Sequence, residues 1–191
     1  MEFVPTDSEG LASDVPYYGE TRADDGWQGQ GTTRSYDTLK GDVTRAMARL
    51  GGVVHGFQRG TYQIGKLERP GVQIRYSIEG PAGKMIYGRI DVAALPVREP
   101  KQRGSYRRIK ENRHELSLAM ALYNVVQALR AQWVLAQFNP GYVPLMAWLL
   151  VKGDQTLTQL YSTGASVGRL LPAPRKDKAG VVEGDWRESE T

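Results

Sequence analysis

A chain of 191 residues without a cysteine cannot be a disulfide scaffold, a thiolate zinc site or a cysteine-nucleophile enzyme, and it suits a reducing compartment, here expected to be the cytoplasm. Its formal net charge of +4 is unevenly spread. Residues 1–30 hold seven acids against Arg22 alone, a net of −6, and the last twenty hold four bases against five acids, so residues 31–171 carry +11. A basic body behind an acidic leader points to a polyanionic partner.

The first ten residues, MEFVPTDSEG, have neither the charged n-region nor the apolar h-region of a secretory signal. Residues 1–34 are rich in Gly, Asp, Ser and Thr with no apolar period, and they are expected to form a disordered acidic leader that competes with nucleic acid for the basic face. From Asp37 the pattern turns helical: Leu39, Val43, Ala46, Met47 and Leu50 recur at helical spacing, and Gly51-Gly52 provides the stop. VVHGFQ and TYQIGK flank Arg59-Gly60, which reads as a short hairpin with glycine in the turn.

Val72 to Glu79 alternates strictly, with Val72, Ile74, Tyr76 and Ile78 on one face and Gln73, Arg75, Ser77 and Glu79 on the other. Its expected partner runs from Lys84 to Val92, with Ile86, Ile90 and Val92 sharing a face. Matching the two apolar faces requires a loop of three or five residues. The shorter register sets Arg75 opposite Tyr87; the longer one sets it opposite Arg89, two like charges that need an anion between them.

Arg98 to Phe138 dominates the remainder. A basic run, REPKQRGSYRRIKENRH, passes without a break into an apolar helix, ELSLAMALYNVVQALRAQWVLAQF. On a helical projection Lys110, Arg113, Ser117, Asn124 and Gln127 fall in one narrow sector, opposite Leu116, Met120, Val126, Leu129 and Trp133. Cations at a helix start oppose the macrodipole. Two accounts follow: a helix starting at the capping box Asn112–Glu115 behind a basic arm, or one starting near Ser105 whose repulsion a bound phosphate offsets.

Asn139-Pro140-Gly141 interrupts the longest apolar stretch, which excludes a membrane span. A second helix is expected over 143–152, with Pro144 near its first position and Gly153 beyond its end. Residues 155–163 fit a short helix or a strand equally. Residues 172–191 form a charged, Pro-containing tail expected to be disordered. Together these make one α+β domain over residues 35–171: an antiparallel meander sheet of three to four strands packed on a long central helix, with a short N-terminal helix and a short helix after the long one.

Enzymatic patterns fail on inspection. Gly60 to Lys66 has phosphate-loop spacing, but Leu67 stands where a hydroxyl must bind magnesium. Gly164-Ala-Ser166-Val-Gly168 resembles a nucleophile elbow, yet both histidines, His55 and His114, precede it. Asp91 with Glu99-Pro100-Lys101 has the letters of a restriction-type nuclease, but Pro100 disrupts the strand that site requires. His114 beside Glu115 reads as a surface histidine. Neither catalysis nor any cofactor or metal is expected.

The strongest feature is the basic run with a tyrosine interleaved: Arg98, Lys101, Arg103, Tyr106, Arg107, Arg108, Lys110 and Arg113. Guanidinium groups bind phosphates bidentately, and tyrosine stacks on unpaired bases. Arg75, Tyr87 and Arg89 on the outer sheet face extend the same chemistry. The expected function is a non-enzymatic nucleic-acid-binding module that contacts the phosphate backbone. The alternative is an assembly subunit of a larger intracellular complex, since Trp133, Phe138, Tyr142 and Trp148 are many large apolar groups for a domain this size. The order of helix, meander and basic helix resembles double-stranded-RNA-binding domains and some strand-annealing proteins in layout alone.

Overall fold

Ser35 opens the first helix, α1 (Tyr36–Arg49), by accepting a hydrogen bond from the Thr38 amide at 3.2 Å. Leu39, Val43, Ala46 and Met47 are buried, as their spacing predicts, and the chain leaves through Gly51 at φ 78°. The structure, a computed structural model, describes residues 15–64, 67–80, 83–98, 106–139, 141–152 and 154–162, with the side chains of 106–111, 152, 161 and 162 outside that description.

Three antiparallel strands follow in the spatial order β1 (Gly52–Ile64), β2 (Leu67–Glu79), β3 (Met85–Ala93). Val72, Ile74 and Tyr76 of β2 and Ile90 of β3 turn one face toward α1 and the long helix α2 (Tyr106–Phe138). Leu118, Leu122, Val126 and Leu129 of α2 complete that core. Each such side chain contributes on the order of 2 kcal/mol by leaving water. The result is the expected two-layer α+β arrangement, a meander with helices on one face.

The hairpin expected at Arg59-Gly60 is absent. The strand β1 runs straight through, and Gly60 pairs with Gly71. Both sides of that glycine are tied down: Arg59 donates twice to Glu115 and lies 3.7 Å over the Tyr36 ring, while Tyr62 is fully buried. These contacts outweigh the local turn preference of Arg-Gly, and they also remove the phosphate-loop geometry at Gly60. Register breaks only at a bulge between Val54 and Gly56. Between β2 and β3 the longer register is adopted, with Glu79 opposite Met85 and Arg75 opposite Arg89.

Of the two accounts of the long helix, the earlier start holds: α2 is helical from Tyr106 with no interruption at Asn112. The helix expected over 143–152 does not form. Leu145 adopts φ 65°, its amide is held by Gln132 Oε1 at 2.7 Å, and its carbonyl accepts the Tyr76 hydroxyl at 3.2 Å. That pinned left-handed residue leaves room for one 3-10 turn, Met146–Trp148, before β4 (Leu150–Lys152) pairs with β5 (Gln155–Thr156). The short helix after α2 is α3 (Leu157–Ser162), where the sequence left helix or strand open.

Residues 15–34, within the leader expected to lack order, instead form a strap across α2. Tyr18 N–H donates to the Pro96 carbonyl at 2.9 Å, and Asn124 Nδ2 donates to the Gln28 carbonyl at 2.8 Å. Gly29, at φ 81°, sits so close to the Tyr123 ring that a Cβ would collide with it. Turns and backbone hydrogen bonds hold this segment, so no apolar period announces it. Among the described residues no helix is long and apolar enough to cross a membrane.

Candidate nucleic-acid interface

Among the described side chains of α2, buried positions run from Ser117 to Leu129, roughly 20 Å of a helix about 50 Å long at ~1.5 Å per residue. The helix extends beyond that stretch at both ends. At the N-terminal end Tyr106, Arg107, Arg108 and Lys110 lie in the first two turns, the first of which contains no acid while the second holds Glu111, and Asn112 and Arg113 are exposed. Four cations on one rod against the positive end of its dipole form a favourable setting for an anion. Lys101 and Arg103 lie outside the described residues.

Arg98 is exposed and already holds an anion of the chain's own. Its Nη2 is 2.8 Å from Glu20 Oε1 in the strap, and its guanidinium lies 4.4 Å from the Tyr17 ring centroid. The strap thus places one acid on one cation of the basic run.

The outer sheet face is built differently from a solvated basic patch. Arg89 is 7 % exposed. Its Nε donates to Asp91 at 2.8 Å, its Nη1 to Asp154, and its Nη2 to Gln159 Oε1 at 3.0 Å. Asp91 further accepts from Tyr62 at 3.0 Å and Gln73 at 3.1 Å. Burial first, then the Asp91 charge, raises the Tyr62 phenol above its ordinary value. Opposite Arg89, Arg75 donates to Gln73 at 2.9 Å and lies 4.0 Å from the second Asp154 oxygen. The anion that the paired arginines require is supplied internally, by the turn between β4 and β5. Tyr87 stays exposed at 58 %, its ring 6.1 Å from that of His55, whose Nε2 is hydrogen-bonded to the buried Ser77 hydroxyl at 2.8 Å.

A cleft of about 620 Å³ opens between the strap, the end of β3 and α2. Trp27, Trp148, Leu95, Met120, Ala121 and Val125 are among the residues of its wall. The charged groups on its lining have hydrogen-bond partners within the protein. Arg69 donates to the Ala93 and Ala94 carbonyls, both at 2.8 Å, and burial lowers its pKa, while Asp91 belongs to the Arg89 network. Ser117 and Asn124, two members of the polar sector read from the sequence, line this cleft; Asn124 remains exposed, whereas Ser117 is buried and donates to the Leu95 carbonyl at 2.8 Å. Trp27 carried no signal in the sequence beyond being a lone aromatic among Asp and Gly.

At the other end of α2, Val134, Leu135 and Phe138 are exposed at 44, 51 and 84 %, with Val143 and Met146 exposed just beyond. Trp133, expected in the core, is 38 % exposed with Arg49 6.0 Å from its ring centroid. Comparison of the chain with protein family models, with curated proteins and with solved structures found no match.

Proposed function

We propose that this protein is a non-enzymatic nucleic-acid-binding module whose contact with the phosphate backbone is made by the first turns of α2. The observation that carries this reading is that α2 is helical from Tyr106, so the second half of the basic run, through Arg113, lies on the same helix as the core positions. One helix carries Arg107, Arg108, Lys110 and Arg113 within two turns, and this density of cations on a single element supports contact with a polyanion. Lys101 and Arg103, immediately before the helix, add to the same charge.

The test is fluorescence anisotropy with labelled oligonucleotides across a salt series, on the wild type and on a variant with Arg103, Arg107, Arg108 and Arg113 changed to Ala. The expected result is affinity that falls steeply with salt, with a slope smaller by roughly three to four in the variant. Absence of binding at low salt removes the reading. A second reading, an assembly subunit, is favoured by the exposed apolar end of α2 around Phe138.

A further inference from the structure

We infer that the cleft beneath the strap seats one unstacked base of a single-stranded nucleic acid, and that the protein is therefore selective for single strands over duplex. This rests on the reading of the α2 basic turns as the phosphate-binding surface and adds a second, uncharged contact to it.

Three observations carry the inference. The first is position. Ser117, on the cleft lining, lies one helical turn beyond the exposed Arg113, so the same face of α2 passes from cation to cleft. Leu95, also on the lining, is three residues before the exposed Arg98. A strand with a phosphate on Arg113 has the cleft one helical turn away along α2.

The second is lining chemistry. Trp27 and Trp148 supply aromatic surface, and Asn124, whose Nδ2 is engaged by the Gln28 and Met120 carbonyls, supplies its amide oxygen as an acceptor. The charged groups on the wall have hydrogen-bond partners within the protein, Arg69 on the Ala93 and Ala94 carbonyls and Asp91 in the Arg89 network. Such a wall suits a flat, polar-edged group, which is the description of a nucleobase. At about 620 Å³ the cleft is within the usual range of small-molecule sites, roughly 300–1,000 Å³.

The third is directional. Asp24 and Asp25 are exposed immediately before Gly26 and Trp27. They repel phosphates from the strap side and leave the Arg113 side as the favourable course for the backbone. A base still paired and stacked in duplex cannot reach a cleft roofed by a strap, so strand selectivity follows from the roof.

The experiment uses the full chain and a short fluorescein-labelled oligothymidylate, offered as single strand, as duplex with oligoadenylate, and as a strand of abasic sugars. Trp27→Ala removes one aromatic wall. Ala121→Leu fills the cleft with a residue that α2 accommodates well, and keeps the test valid if the tryptophan variant unfolds. Each substitution is expected to weaken single-strand binding roughly tenfold and to leave duplex and abasic binding unchanged. Single-strand affinity of the Ala121→Leu protein within about twofold of wild type would overturn the inference. So would equal losses on single strand and duplex, or retention in the cleft of the neutral dye N-phenyl-1-naphthylamine that the oligonucleotide fails to displace. In these cases salt-dependent binding of wild type to duplex still supports the proposed function, whereas no binding of any strand removes both readings.

Discussion

Arg89 shows how a residue of the right type is diverted from the surface to the interior. It occupies an alternating outward position on β3, but Asp91, Asp154 and Gln159 surround its three nitrogens. Breaking one partner out of such a buried set costs about 3–5 kcal/mol, because the remaining charge is left desolvated. Arg89→Leu is therefore expected to lower stability by that amount in chemical denaturation. Asp91→Leu in the same background is expected to restore part of the loss, a coupling that a double-mutant cycle reads directly. If Arg89 instead contacted phosphate, the single variant would lose salt-dependent affinity with its stability intact. The alternation of β2 and β3 was legible because a half-buried strand writes its faces with period two. The network was not, because Asp154 and Gln159 reach it from more than sixty residues away and nothing in their local sequence marks them.

At the level of elements, the sheet and helices were read where tertiary contacts agree with local preference, as in α1, β2, β3 and the central part of α2. They were misread where one long-range contact overrides that preference. Gly60 is drawn into β1 by the fixed Arg59 and Tyr62 on either side, and the helix expected at 143–152 yields to the pinned Leu145. Tyr76 belongs to the second of these events: it fills the space over its cross-strand partner Gly88, where any Cβ would strike its ring, and its hydroxyl donates to Leu145. Burial raises its phenol, and that of Tyr62, above the ordinary value. A folded-state value above the unfolded one of about 10 means that the stabilisation is complete below that pH and is lost as pH rises through the folded value. The melting temperature is thus expected to fall progressively above about pH 10. Tyr76→Phe, less stable at neutral pH for want of its hydrogen bond, should show a shallower alkaline decline.

For the whole molecule, α2 separates two surfaces of opposite character, a cationic end and an apolar one, with the buried positions between them. The candidate cations were legible from composition alone, whereas the apolar end was visible only as an excess of large side chains whose exposure depends on where the buried stretch stops. If the Phe138 end mates with a second copy or another subunit, light scattering will show a mass above that of the 21.2 kDa chain, and Phe138→Glu will return it to the monomer without altering the salt dependence of oligonucleotide binding. A monomer that binds no hydrophobic dye would count against the assembly reading. The strap belongs to this scale as well. Asn124 and Gln28, which hold it to α2, are 96 residues apart in sequence, and the holding hydrogen bonds are few and near the surface. Segments of this kind open at a small fraction of the global unfolding free energy. If the cleft seats a base as proposed, the strap, which is one wall of it and carries Trp27, acts as a kinetic gate: a base enters and leaves at the rate the strap lifts, so the same segment that supplies an aromatic contact also sets residence time on a single strand.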